Sequence, residues 1–159
     1  MSQKAIAGWL KALIIGVTIC ALIVYVLVVP TIGLAIARKT PGFAPFYVQW
    51  LIFISLTAIP VFPALFLAWK IAAGIGRDCA FTLDNAKRLK YIAFLAVADG
   101  MFFFLGNVVL LLCGMNHPGI AILSLIIVFA CIAIAIFAAA LSYFVKKAAA
   151  LQEQSDWTI

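Results

Sequence analysis

Between Lys11 and Arg38 the chain carries no charged residue. As a helix rising about 1.5 Å per residue, Ala12–Ala37 is longer than a hydrocarbon core about 30 Å thick. Composition extends the same constraint to the whole molecule. Of 159 residues, 68% are hydrophobic and only 10% charged, which is more apolar surface than one soluble core of this size can enclose. Lipid must therefore be the solvent, and the expected fold is all-α, a membrane four-helix bundle forming a single domain over residues 1–159. A cleaved signal peptide is the rival reading of the first run, because Lys4 and Lys11 precede it and Ala35-Ile36-Ala37 resembles an A-x-A site. The length of the run argues against it, since an h-region is about 7–15 residues long.

Three further runs follow. Arg38-Lys39-Thr40-Pro41-Gly42 breaks the pattern, and 47–69 forms a second uncharged stretch holding Pro60 and Pro63. These prolines leave the carbonyls of Leu56 and Ile59 without their usual partners, so a kink is expected there, with Ser55 and Thr57 as the nearest polar groups. Residues 70–90 are the one sizeable polar segment between spans. Gly74 and Gly76 supply its turn, Thr82 is a good N-cap, and Asp84 falls where a carboxylate complements the helix dipole. A helix should start at Thr82 or Leu83 and run into a third span, 91–112. Met115-Asn116-His117-Pro118-Gly119 reads as a tight turn before the fourth run, 120–145, which ends at Lys146 and Lys147 ahead of a small polar tail.

Orientation follows from charge. Of eleven basic residues, all but Arg38 and Lys39 lie at the ends or in the 70–90 segment. The positive-inside rule then places both termini and that segment in the cytoplasm, in the cell membrane. Trp9, Trp69, Tyr91 and Tyr143 fall at the inner boundary, and Tyr47 and Trp50 at the outer one, as an aromatic belt requires. The net charge of +6 thus sets topology and does not signal direct nucleic-acid binding. Cys131, Ala135 and Ala139 recur at every fourth position and predict a close-packing seam on the fourth span, with Gly16 and Cys20 as a similar face on the first.

Catalytic chemistry has little to be built from. The four cysteines form no C-x-x-C pair and read as small apolar core residues, while His117 is the sole histidine. No metal, cofactor or enzymatic activity is expected. The outstanding residue is Asp99, roughly 13 Å beyond Lys90 along the third helix. An ionisable group at that depth marks a functional site or a packing hydrogen bond, with Tyr25, Ser55 or Thr57 as expected partners. Asn107 lies two four-residue steps further on through Phe103, suggesting a polar track.

The second candidate lies in the cytoplasmic segment. Phe81-Thr82, Asn85 and Lys87-Arg88-Leu89 match an F-T-x-x-N-x-K-R-L pattern, with Lys90 following. This resembles the signature ahead of the third span in a bacterial family of small four-helix membrane proteins classed as a domain of unknown function. The resemblance implies no activity. It does imply a genomic neighbour, a small Cro-like helix-turn-helix regulator, and hence a protein partner for which Phe81, Thr82, Asn85, Lys87, Arg88 and Lys90 would form a docking motif. Alternatively, those cations only enforce topology or face anionic lipid. A non-enzymatic interaction or signalling component is the leading reading, and a small transporter or immunity-type protein using a pocket near Asp99 is the alternative. The topology is checked with enzyme fusions: alkaline phosphatase joined after Thr40 should be active in whole cells, and the same enzyme joined after Ala149 inactive.

Overall fold

The computed structural model describes residues 2–77 and 79–156; Asp78, counted above in the polar segment, lies outside them. Four helical spans cross in alternating directions, which puts the start of the first helix, the end of the last and the link between the second and third spans at one end of the bundle. The first span is α1 (Gln3–Ile23), a π-helical turn (Val24–Val28) and α2 (Val29–Lys39). A 3₁₀ turn (Ala44–Phe46) leads into α3 (Tyr47–Leu56) and α4 (Ala58–Ile75), the second span. The third is α5 (Leu83–Leu112) and the fourth α6 (Pro118–Asp156). Each span packs chiefly on the next in sequence: α1 on α4, α2 on α3, α4 on α5 and, most extensively, α5 on α6. The fourth helix continues through Lys146 and Lys147 to Asp156, so the polar segment expected as a tail is helical over that length.

The interior inverts the pattern of a soluble protein. Large apolar side chains point outward, Phe129 and Phe137 each being 72% exposed, while the buried positions are mostly small or polar. Ala72, Ala86, Ala93, Ala135, Ala138, Asn85, Asn107, Asn116 and Ser124 are all buried. Lipid tails are as apolar as leucine, so helices gain little by hiding leucine from them and gain more by close backbone approach and interhelical hydrogen bonds.

The seam on α6 differs from the expected one. Ala135 and Ala138 are buried and Ala139 is exposed, so the packed face runs Ser124, Cys131, Ala135, Ala138, Ser142. A strict four-residue step gains about 40° on each repeat, and alternating steps of three and four keep the same face. The first span is corrected likewise. Gly16 and Cys20 are exposed, and Ile14, Thr18, Ala21 and Tyr25 are partly covered instead. Lys11 Nζ lies 5.5 Å from the Trp69 ring, a cation–π contact between the first and second spans. Cys20, Cys79 and Cys113 are exposed too, so of the four cysteines only Cys131 approaches the expected core role.

Proline sets the helix irregularities. Pro30 has no N–H for the Val26 carbonyl and crowds it, and the turn before it widens to π register, with Val29 N–H reaching Val24 O. Pro60 likewise removes a donor from the second span, but there the helix is interrupted at Thr57. There the Thr57 N–H and hydroxyl both donate to the Ile54 carbonyl, at 3.1 and 2.7 Å, covering part of the break with groups from within the chain. α5 ends in a Schellman motif, with Met115 N–H on Leu110 O and Gly114 N–H on Leu111 O. Gly114 takes φ +69°, a conformation that favours glycine.

Spans two and three meet around Phe53, which is buried. Its ring stacks on Phe103 at 5.6 Å and meets Phe102 at 5.4 Å and Trp50 at 5.9 Å, the last edge-on. The ring lies over Gly106, where any Cβ would collide with it. Gly106→Leu should therefore lower the thermal unfolding midpoint in detergent, by an overpacking cost of about 1–3 kcal/mol. Adding Phe53→Ala to that variant should recover part of the loss, and the non-additivity of the pair measures the contact.

Candidate functional site

At the termini end, the loop between α4 and α5 is held by one side chain. Thr82 caps α5, its Oγ1 accepting the Asn85 N–H at 3.2 Å. The Asn85 Nδ2 donates to the carbonyls of Cys79 (2.9 Å) and Ala80 (3.1 Å). Its Oδ1 accepts Arg88 Nη1 at 2.9 Å. Asn85 is 1% exposed, and its amide packs so closely on Gly74 that a Cβ there would sit 3.0 Å from Nδ2. Nearby, Ser142 Oγ donates to Ala86 O at 2.7 Å, joining α6 to the start of α5. The six residues of the motif thus divide. Thr82, Asn85 and Arg88 are covered and committed to the clasp, while Phe81, Lys87 and Lys90 are exposed.

Inside the spans, Tyr25 OH and Thr57 Oγ1 lie 2.8 Å apart. Thr57 spends its hydroxyl proton on Ile54 O, so Tyr25 is the donor to Thr57. Neither proton is therefore donated to Asp99. Asp99 is half-buried, and its Oδ1 is enclosed without a hydrogen-bond partner. Tyr25 and Cys131 are within electrostatic range of the carboxyl. Cys131 packs against Gly100, the residue after Asp99, where a Cβ would come within 3.0 Å of the Cys131 Cβ. One residue from each span thus converges at this level: Tyr25 in the π turn, Thr57 at the helix break, then Asp99 and Cys131. Ser55 is exposed and takes no part.

Asn107 belongs to a different structure, about 12 Å further along α5. Its Nδ2 donates to Phe103 O at 2.8 Å, and its Oδ1 accepts Asn116 Nδ2 at 3.1 Å. The expected polar track is thus two separate features, a carboxyl among hydroxyls and an amide brace holding the turn between α5 and α6. Asn116 was not singled out by the sequence reading. Its only signal was an amide in a turn, a position where asparagine is common for local reasons.

Chemically, a half-buried carboxyl with an unpartnered oxygen can hold a proton, a water or a single cationic group. Among the described residues no group of three or more His, Cys, Asp or Glu could hold a metal ion. Two cavities lie elsewhere. One of about 570 Å³ is between α2, α3 and the start of α6, and one of about 300 Å³ is between α1 and α4; Asp99 lines neither.

Residues 31–159 match the family described as "Protein of unknown function (DUF2975)". The chain is 35% identical over 150 residues to the "Uncharacterized membrane protein YoaS" of Bacillus subtilis (strain 168), an overlap of 92% of this chain and 91% of that one. No solved structure matches. The clasp makes a direct prediction. Asn85→Ala strands two carbonyls and the Arg88 guanidinium, a loss of about 1–3 kcal/mol where such groups stay buried. Amide hydrogen exchange over residues 79–86 should accelerate accordingly, with the α5–α6 core protected as in wild type.

Proposed function

The chain belongs to the bacterial membrane-protein family of unknown function DUF2975, and on that footing we propose that it is a non-enzymatic multi-pass protein of the cell membrane that holds a cytoplasmic partner. Both termini face the cytoplasm in this reading. The partner is a small helix-turn-helix regulator, which the chain binds as a protein without touching nucleic acid itself. The observation that carries the proposal is the clasp. By anchoring Cys79, Ala80 and Arg88 to one buried amide, it adds to the backbone bonds from Arg77 and Cys79 to Gly74 O in shaping the loop, and it leaves Phe81, Lys87 and Lys90 outward. A rigid surface with an exposed aromatic and cations loses little entropy on binding.

Specific recovery of a DNA-binding protein with the tagged chain, from native membranes in mild detergent, tests this. Wild type should retain it, whereas Phe81→Ala with Lys87→Glu and Lys90→Glu should lose it while inserting normally. Arg88 stays unaltered in that experiment, because its guanidinium also supports the fold. Undiminished recovery by the triple variant would refute the docking surface.

A second reading rests on the unpartnered Oδ1 of Asp99. An ionisable group held inside a bundle, next to a π turn and a helix break, fits a small transporter or immunity-type protein that handles a cationic compound. Asp99→Asn and Asp99→Ala should then lower cellular tolerance to such a compound. Tolerance equal to wild type across a cation panel would remove this reading.

A further inference from the structure

The larger cavity opens between helices at the end of the bundle opposite the termini. Its walls are α2 and α3, with Ile32, Ile36, Leu51 and Ile54 among the lining residues, and the start of α6. Two of its aromatic side chains have polar tips, and both tips are already committed. Tyr47 OH donates to Pro30 O at 3.3 Å, and Trp50 Nε1 donates to Met115 O at 2.9 Å. The rings therefore present apolar faces to the cleft.

The rim differs in kind. Thr40 lines the cleft at the end of α2, and His117 lines it at the turn before α6. His117 Nδ1 accepts the Gly119 N–H at 3.1 Å, so in the neutral ring the proton is on Nε2, a free donor. Arg38 and Lys39, exposed in the last turn of α2, sit in sequence between the lining residues Ala37 and Thr40. They are the two basic residues of the eleven that lie at this end of the bundle.

We propose that this cleft is a binding site for a phospholipid with an anionic headgroup, one acyl chain lying between α2 and α3 and the phosphate meeting Thr40 and His117 at the rim, with the exposed Arg38 and Lys39 next to Thr40 at the end of α2. A volume of about 570 Å³ is within the usual range for a ligand site. An acyl chain leaving bulk lipid for an apolar cleft gains little from the transfer alone. Selectivity must then come from the rim, whose cations and donors match a lipid phosphate. A neutral or zwitterionic lipid would enter the same cleft without that preference.

The test uses the full chain purified in a neutral maltoside detergent. Native mass spectrometry compares phosphatidylglycerol with phosphatidylcholine of identical acyl chains. Wild type should retain one phosphatidylglycerol at roughly tenfold lower lipid concentration, the scale expected of one or two interfacial cations. Arg38→Gln with Lys39→Gln should bring the two lipids level, and Ala37→Phe, which fills the cleft, should weaken both. Phosphatidylglycerol brominated in mid-chain should quench tryptophan emission in wild type, and that quenching should largely vanish in Trp50→Phe. Equal retention of the two lipids by wild type would overturn the proposal, as would quenching unchanged in Trp50→Phe. Neither comparison depends on whether Ala37→Phe folds.

Discussion

In hydrocarbon a backbone N–H or C=O has no partner except the chain itself, and each such group left open costs several kcal/mol. Everything irregular in this protein is arranged around that constraint. Pro30 and Pro60 each remove a donor from a spanning helix, and the chain responds differently at the two places. The first span widens into a π turn that reconnects Val29 to Val24. The second stops at Thr57 and covers Ile54 O with that residue's own N–H and hydroxyl. Both responses put polar side chains, Tyr25 and Thr57, at the level where Asp99 enters from the third span. The intramembrane cluster is thus a consequence of where the helices had to be interrupted.

Close packing supplies the cohesion that the hydrophobic effect cannot supply inside lipid. Glycine and alanine mark its contacts. Gly100 meets Cys131, Gly106 lies beneath Phe53, Gly74 abuts Asn85, and a Cβ on Gly76 would stand 3.2 Å from Ala7 Cβ. These contacts are unevenly distributed. Toward the termini end, Ala7, Ala72, Asn85 and Ala86 are buried together with a hydrogen-bonded loop. Toward the opposite end, α2 and α3 touch where Gly33 meets the Tyr47 ring and border a cleft beside that contact. One end is built to hold a shape, and the other leaves room for a chain of lipid.

The clasp shows why a motif can be structural and still serve binding. Asn85 uses its amide on two loop carbonyls and on the guanidinium of Arg88 in α5, so its replacement would affect any surface the loop carries. Phe81, Lys87 and Lys90 depend on that frame without contributing to it.

Much of the architecture was legible in the sequence, because it rests on properties that add along the chain. Apolar runs longer than a bilayer is thick define four spans, prolines mark the breaks, and Thr82 and the Met115–Gly119 turn mark helix ends; all of these are local facts. Which face of a helix meets a neighbour is not local. Cys131, Ala135 and Ala139 were a sound small-residue pattern, yet packing chose Ala138, since the direction of a neighbouring helix selects among rows that differ by a fraction of a turn. Asp99 and Asn107 share a ridge in sequence and belong to different contacts in space, because Tyr25 and Thr57 approach one and Asn116 the other. Likewise F-T-x-x-N-x-K-R-L reads the same whether asparagine faces a partner or its own loop, and only the folded loop, bringing Cys79 and Ala80 back over α5, decided that it faces inward. Sequence determined the elements and their order, since the bilayer acts on each segment separately. The tertiary structure alone decided the sites, since each is made by side chains that meet only when the spans pack.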